Sequence, residues 1–360
     1  MSDKYFFSLR IIRVNRLTKD SIEVTFDVPA DKKHLFSFEA GQYITIRKSL
    51  NGEELRRSYS LCTGEGSDSW AIAIKKVENG RFSSWAMSNL NPEDELEVMA
   101  PAGNFTLKEP DPTTVVCFAA GSGITPVLSH IRSLLNKDKG ADIRLFYGNR
   151  NFESIMFRDE LEALKNKHLG QLSIHHIFSR EKTGIPILHG RIDKAKCMEL
   201  AKHLFETDNT DAFLICGPND MIFEVREALE EMGVPPSKIH FELFNTDGLQ
   251  KRAVQKAGSA AKEDLDKVST VEIQMDGDVF EFNLAYGGQN LLDAALENGA
   301  DLPFACKGGV CSTCKARITE GKVEMDLNYA LEPYELEAGY VLLCQSHPRS
   351  SHIYIDFDQK

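Results

Sequence analysis

Three folded units in series are expected of this chain: an antiparallel β-barrel, a doubly wound α/β domain and a compact α+β unit. Three observations predict them. Alternating apolar and polar segments, broken by Gly, Asn and Pro, run to about Leu107. From Thr114 onward, continuous apolar runs alternate with helical patterns. Beyond a polar, Ala/Lys-rich stretch, four cysteines crowd the last part of the chain. The 360 residues suffice for two or three domains with cores of their own. An apolar fraction of 42% with 27% charged residues is that of an ordinary globular protein.

The first unit, residues 5–107, contains Ser21-Ile-Glu-Val-Thr-Phe-Asp-Val28, in which Ile22, Val24, Phe26 and Val28 share one face. That pattern predicts a half-buried antiparallel strand. Gly41–Arg47, Arg57–Cys62 and Ala71–Lys75 repeat it, and together they predict a small barrel. In the second unit, residues 112–244, Val115–Ala120 is a buried parallel strand opening a βαβ unit, with a helix through Leu135. Strands at Ile143–Tyr147, Leu172–Phe178 and Phe213–Cys216 alternate with helices near Ser154–Leu164 and Asp220–Glu231, which predicts a doubly wound sheet. Residues 245–267 read as a linker. The third unit, residues 268–360, opens with alternating strands over Val271–Phe282 and a helix near Asn290–Asn298.

Charge is unevenly distributed. Of the net charge of -12, the stretch from Val268 to the end carries -9, with 15 acids against 6 bases. An acidic module disfavours nucleic acid, whose phosphates need Lys and Arg, and suits a basic protein partner; solubility alone is the other reason for such a surface. The N-terminal stretch lacks an apolar leader, and no uncharged run approaches the roughly 18 residues that cross a bilayer, so a soluble cytoplasmic protein with no membrane partner is expected.

The cysteine spacing is the most specific signal. Cys306, Cys311 and Cys314 are separated by four and two intervening residues, and Cys344 follows after a long gap, the plant-type [2Fe–2S] pattern. Structural zinc would show paired CxxC or Cys/His knuckles, and only one CxxC is present. Gly308 and Gly309 lie where the loop must turn tightly and aim N–H groups at sulfur. A strand-borne Cys344 would close the site. Cys62, Cys117 and Cys197 read as small buried hydrophobes.

Three other constellations point to nucleotides. Arg57-Ser58-Tyr59-Ser60 offers a cation, an aromatic face and hydroxyls at the end of a strand; alone, it also fits an ordinary strand. Gly80-Arg81-Phe82-Ser83-Ser84-Trp85 opens a helix whose first N–H groups would seat a diphosphate. Gly121-Ser122-Gly123-Ile124-Thr125-Pro126 follows a buried strand and precedes a helix, as a dinucleotide loop does, with Pro126 in place of the third glycine. Cys216-Gly217-Pro218 ends another strand at the carboxyl edge. Arg150, Ser179 and Arg180, with no acid in Tyr147–Arg150 to hold a ribose 2′-hydroxyl, favour a 2′-phosphate and so NADPH over NADH.

With these motifs in this order, the chain resembles the ferredoxin–NADP reductase superfamily over residues 5–244, joined to a plant-type ferredoxin over 268–360. Among such fusions it is similar to the reductase subunits of bacterial phenylacetyl-CoA epoxidases, through Gly80–Trp85 and Leu343-Cys-Gln-Ser-His-Pro348. The resemblance implies a flavin domain, a nucleotide domain and a β-grasp ferredoxin domain. It also implies FAD rather than FMN, and electron flow from NADPH through FAD and the cluster to an oxygenase, a di-iron phenylacetyl-CoA epoxidase. A ring-hydroxylating dioxygenase, another monooxygenase or a general ferredoxin/flavodoxin-type NADPH reductase role is the alternative.

By the same resemblance, Arg57 contacts the flavin phosphate region, Tyr59 stacks on the isoalloxazine and Ser60 reaches N5. Residues Gly80–Ser84 line the diphosphate, and Phe244 covers the flavin face opposite Tyr59. Cys216 lies beside the nicotinamide, while Glu242 positions or protonates near the flavin. Ser60, Cys216 and Glu242 are thus the expected catalytic residues, none of them a nucleophile.

Overall fold

A computed structural model describes residues 5–67, 69–108, 110–137, 140–244 and 267–359. The segment read as a linker lies outside them, save Lys267. The chain divides into two compact units, Met1–Phe244 and Asn245–Lys360.

The first unit begins with a six-stranded antiparallel sheet. Its strands are β1 (Phe6–Thr18), β2 (Ser21–Asp27), β3 (Tyr43–Leu50), β4 (Glu53–Ser60), β5 (Trp70–Lys75) and β6 (Glu95–Met99), in the order β4-β3-β6-β1-β2-β5. A bridge between Leu61 and Ile72, with the Cys62 N–H donating to the Ala71 carbonyl at 2.8 Å, closes the two edges into a barrel. Closure removes exposed strand edges, and Leu9, Ile11, Val24, Ile46, Ile72 and Val98 fill the interior. Helix α1 (Arg81–Asn89) adds Phe82 and Ala86 to that core.

The single wet face expected for Ser21–Val28 is absent: Ser21, Glu23 and Thr25 are buried as well. The outer side of the barrel is covered. Cys62, Ala71 and Ala73 share one apolar cluster with Ile124, Val127 and Ile131 of helix α2 (Ile124–Asn136), which joins barrel and α/β sheet in one unit.

That sheet has five parallel strands: β7 (Thr114–Ala120), β8 (Asp142–Asn149), β9 (Leu172–Phe178), β10 (Ala212–Gly217) and β11 (Ile239–Leu243), ordered β11-β10-β7-β8-β9. The chain order reverses between β7 and β10, the switch point at which open α/β sheets bind ligands. Helix α3 (Arg158–Lys167) contributes Leu161 to the same cluster as α2. Phe118, Phe146 and Phe213 pack ring to ring on Phe205 at 5.6–6.0 Å. Helices α4 (Lys194–His203) and α5 (Asn219–Glu231) are tied by Lys194 to Glu227.

Helix α3 starts four residues later than its apolar spacing suggests. Asn151 and Ser154 cap one another's backbone N–H groups at 3.1 Å around a short 3-10 turn, and Phe157 then takes a left-handed φ of 57° before the helix opens. Polar side chains that satisfy the backbone locally thus win over the helical pattern.

The second unit is a mixed five-stranded sheet. Strand β12 (Val268–Met275) pairs antiparallel with β13 (Asp278–Ala285) and parallel with β18 (His352–Asp356). Next come β14 (Lys315–Glu320) and β16 (Tyr340–Leu342), while β15 (Val323–Met325) and β17 (Ser346–Pro348) form a separate ribbon. Helix α6 (Leu291–Glu297), capped by Asn290, buries Leu291, Leu292 and Ala295. Helix α7 (Pro333–Glu337) precedes β16. Among the described residues no helix is long and apolar enough to cross a membrane.

Candidate active site and cluster site

At the switch point the geometry is set by close backbone contact. A Cβ placed on Gly123 would stand 2.0 Å from the Cys216 carbonyl oxygen, so only glycine lets this loop lie on the end of β10. Gly121 has φ +55°, and its carbonyl accepts the Tyr147 hydroxyl at 2.9 Å. Thr125 donates to the Ser122 carbonyl at 3.0 Å, and Gly123 caps α2 without any side-chain bond. A 3-10 turn over Gly121–Gly123 leads into the helix, whose first N–H, that of Ile124, donates to the Gly121 and Ser122 carbonyls; this glycine-rich turn at a helix start is the candidate diphosphate seat. Gly217 and Pro218 lead from β10 into α5 on the other side of the switch point.

Register brings Cys216 opposite Glu242, since β10 and β11 run parallel with those two residues paired. Ser60, at the end of barrel strand β4, donates its hydroxyl to Glu242 Oε2 at 3.0 Å. Residues far apart in sequence thus meet where barrel and sheet join. Burial pushes the Glu242 carboxyl up to about 8, although the Ser60 bond favours its ionised form, so it holds its proton at neutral pH. Burial, and the Glu242 charge secondarily, raise the Cys216 thiol well above its ordinary value. It is no thiolate nucleophile.

Tyr59 packs on Phe82 at 5.8 Å between ring centroids. Phe82 is itself buried, so the Tyr59 ring has a firm backing. Arg57 and Ser58 are exposed, with Ser58 Oγ 3.2 Å from Thr45 Oγ1. Gly80 caps α1 with no side-chain bond. The Ser83 hydroxyl accepts the Val77 N–H at 3.1 Å, and Arg81 pairs with Glu53 at 2.6 Å, so these two side chains serve the local turn and hairpin. Ser84 is half-buried in the first turn. Phe244, just beyond β11, is 40% exposed.

Arg150, Ser179 and Arg180 come together past the ends of β8 and β9. The Ser179 N–H donates to the Asn149 carbonyl and the Arg180 N–H to the Arg150 carbonyl, each at 2.9 Å. Glu181, the nearby acid, accepts the Phe152 N–H at 2.9 Å. The sequence reading missed Lys75, which ends β5 with its Nζ 3.6 Å from the position a Gly121 Cβ would take. Burial, and the Arg150 charge more weakly, lower its pKa. A lysine closing an alternating strand carries no motif, so only the fold reveals its place.

In the second unit, Cys306, Cys311 and Cys314 lie on the loop before β14, and Cys344 on a 3-10 turn between β16 and β17, not on a strand as expected. The sulfurs are in contact: Cys306 meets Cys311 at 3.1 Å and also reaches Cys344, which reaches Cys314. Among the described residues no three His, Cys, Asp or Glu side chains are set for a single ion. One loop and a distant turn thus bring four thiols together as an all-thiolate donor set, of the kind an iron–sulfur cluster takes. Gly308 donates its N–H to Cys306 Sγ at 3.3 Å. Hydrogen bonds from Cys311 and Cys344 pull the Cys306 thiol pKa far down. The residues therefore fit a cluster, as those of the first unit fit a flavin and a dinucleotide.

Family profiles match the chain in three places: "Oxidoreductase FAD-binding domain" over 8–107, "Oxidoreductase NAD-binding domain" over 118–227 and "2Fe-2S iron-sulfur cluster binding domain" over 273–349. One of the subunits of 1,2-phenylacetyl-CoA epoxidase from Escherichia coli (strain K12) is 41% identical over 99% of this chain and 98% of its own. The chain belongs to the ferredoxin–NADP reductase superfamily, in the branch with a C-terminal [2Fe–2S] domain. The ferredoxin reductase component of 3-ketosteroid-9-alpha-monooxygenase from Rhodococcus rhodochrous is 33% identical over 97% of this chain and 96% of its own.

Two solved structures share the fold. Phthalate dioxygenase reductase has a TM-score of 0.58 at 24% identity and covers 98% of each chain. An intact type IV self-sufficient cytochrome P450 monooxygenase scores 0.69 at 20% identity, over 97% of this chain but 41% of its own. This member of the superfamily is thus an oxidoreductase that uses FAD, a nicotinamide nucleotide and a [2Fe–2S] cluster.

Proposed function

We propose that the chain takes a hydride from NADPH to FAD beside Ser60, Cys216 and Glu242. Electrons then pass singly, through a cluster held by Cys306, Cys311, Cys314 and Cys344, to a di-iron oxygenase of the 1,2-phenylacetyl-CoA epoxidase type. The observation that carries this reading is the meeting of Ser60 with Glu242, and of Glu242 with Cys216, at the switch point of the sheet. Bound flavin supplies the conversion between a two-electron hydride and a one-electron carrier.

The chain's own residues supply position and proton control. Ser60 would stand at the reacting edge of the flavin with its hydroxyl bonded to Glu242, and Glu242 holds a proton at its carboxyl behind it. Tyr59, backed by Phe82, provides the stacking face, and the protonated Cys216 thiol is an apolar neighbour for the nicotinamide. The first turn of α1 and the exposed Arg57 receive the flavin diphosphate, and Gly121–Gly123 receives that of the nucleotide. Arg150, Ser179 and Arg180 take the 2′-phosphate. Phe244 shields the other face of the flavin.

Likeness along the whole chain to the Escherichia coli epoxidase component supports the choice of acceptor. The lower identity to the ketosteroid monooxygenase component makes a steroid oxygenase the second reading. Combining the purified protein with the epoxidase oxygenase, phenylacetyl-CoA and NADPH under air tests it. Epoxide formed in step with NADPH consumed is expected. Dye reduction without epoxide would reject the acceptor while leaving the electron path intact.

A further inference from the structure

Cys344 is followed by a side chain that reaches back to its sulfur. Gln345 is buried, at 8% exposure, on the same 3-10 turn. Its Nε2 lies 2.8 Å from the Cys344 carbonyl, 3.3 Å from the Lys307 carbonyl and 3.7 Å from Cys344 Sγ. All three neighbours are acceptors, so the amide must present its N–H₂ here; the flipped form would set oxygen against two carbonyl oxygens. Two hydrogens face three acceptors, and the competition depends on how much negative charge each acceptor carries.

Burial of a flexible polar side chain at this point has a cost that its contacts must offset. One contact is structural. By bonding the Lys307 carbonyl, Gln345 ties the turn of the fourth cysteine to the loop that carries Cys306. Lys307 sits there with φ +51°, and Gly309 packs so tightly that a Cβ would come 3.1 Å from Gln345 Cγ. The contact with Cys344 Sγ has no such structural purpose, because residues 344 and 345 are already joined. It puts an N–H beside a ligand sulfur.

We propose that Gln345 is a positioning residue that sets the reduction potential of the cluster, by donating an N–H···S hydrogen bond to Cys344 while clamping the ligand loop. The inference rests on the reading of the four cysteines as cluster ligands. When the cluster takes one electron its sulfurs gain negative charge, so a donor on sulfur stabilises the reduced form more than the oxidised form. Removing the donor makes the cluster harder to reduce. The Cys306 sulfur draws its N–H bond from the Gly308 backbone, whereas Cys344 draws one from the side chain of Gln345, which substitution can alter without changing the backbone.

The test uses the full-length, flavin- and cluster-loaded protein and follows the cluster by EPR during potentiometric titration. Gln345→Met keeps length and burial without the N–H, and Gln345→Glu replaces the donor by an acceptor. At a potential where the native cluster is half reduced, the reduced-to-oxidised ratio should fall at least about threefold in the Met variant, and further in the Glu variant. At 59 mV per tenfold for one electron, threefold is about 30 mV. Native protein labelled with 15N only in glutamine side chains should also show 15N coupling in the pulsed EPR spectrum of the reduced cluster, whether or not the variants load. Unchanged ratios in loaded variants, or no 15N coupling in loaded native protein, would overturn the proposal. Native protein that takes up no cluster would overturn the ligand reading as well.

Discussion

Glu242 is a half-buried carboxyl that keeps its proton because the join of barrel and sheet withdraws its oxygens from water, and Ser60 is the group that shares its position. Deleting the Ser60 hydroxyl leaves the carboxyl without its partner beside the reacting edge. Ser60→Ala should retain FAD and lower the rate of flavin reduction by NADPH about 10- to 100-fold, the equivalent of one strong hydrogen bond. Stopped-flow absorbance under anaerobic conditions measures this rate.

Glu242 also makes stability depend on pH. The folded carboxyl, at about 8 against an ordinary 4.5, binds a proton that the unfolded chain releases first. Stability contributed by that proton is full below about 4.5 and is lost as pH rises to about 8. Thermal melts across this window should fall with rising pH, and Glu242→Gln should flatten that part of the slope. A slope unchanged in the variant would place the carboxyl in solvent.

At the scale of elements, the strand-to-helix joints carry both sites. The Gly121–Thr125 joint was legible in the sequence because it stands between an apolar run and a helical pattern, a context that steric strand-to-helix joints share with dinucleotide loops. Why Gly123 in particular must be glycine was not legible, since its obstacle is the Cys216 carbonyl on another strand. Gly123→Ala should push α2 off β10, lowering melting temperature and raising KM for NADPH more than tenfold, as isothermal titration would also register. The late start of α3 escaped for the opposite reason: Asn151 and Ser154 form a local cap whose pattern is weaker than the apolar spacing around it. Strand β1 and helix α4 were unread because their polar faces interrupt the periodicity.

In the second unit, the spacing of the cysteines announced the cluster, and Gly308 donates to sulfur as that loop requires. What the sequence concealed is Gln345, a residue whose type signals nothing until the turn places its amide beside Cys344 and Lys307. Gly309→Ala, at φ +73° and 3.0 Å from the Leu327 carbonyl, should reduce cluster content without touching the flavin. Iron-to-flavin ratios in the purified variant measure that loss.

Across the whole molecule, chemistry is divided between two compact units: flavin and nucleotide residues in the first, cysteines in the second. Within the first unit, barrel and α/β sheet are held together because Cys62, Ala71 and Ala73 share a core with α2. A chain ending at Phe244 should therefore still reduce a two-electron dye with NADPH, and should fail to reduce a one-electron oxygenase acceptor at more than a few per cent of the full-length rate.

The central claim is a continuous path from nucleotide to flavin to cluster within one chain. Anaerobic titration of the full-length protein with NADPH, followed by visible absorbance and EPR, tests it most directly. Bleaching of both the flavin bands and the broad cluster absorption, with an EPR signal from the reduced cluster, is the result expected. A flavin that bleaches beside a cluster that stays oxidised, in protein shown to hold both, would contradict it.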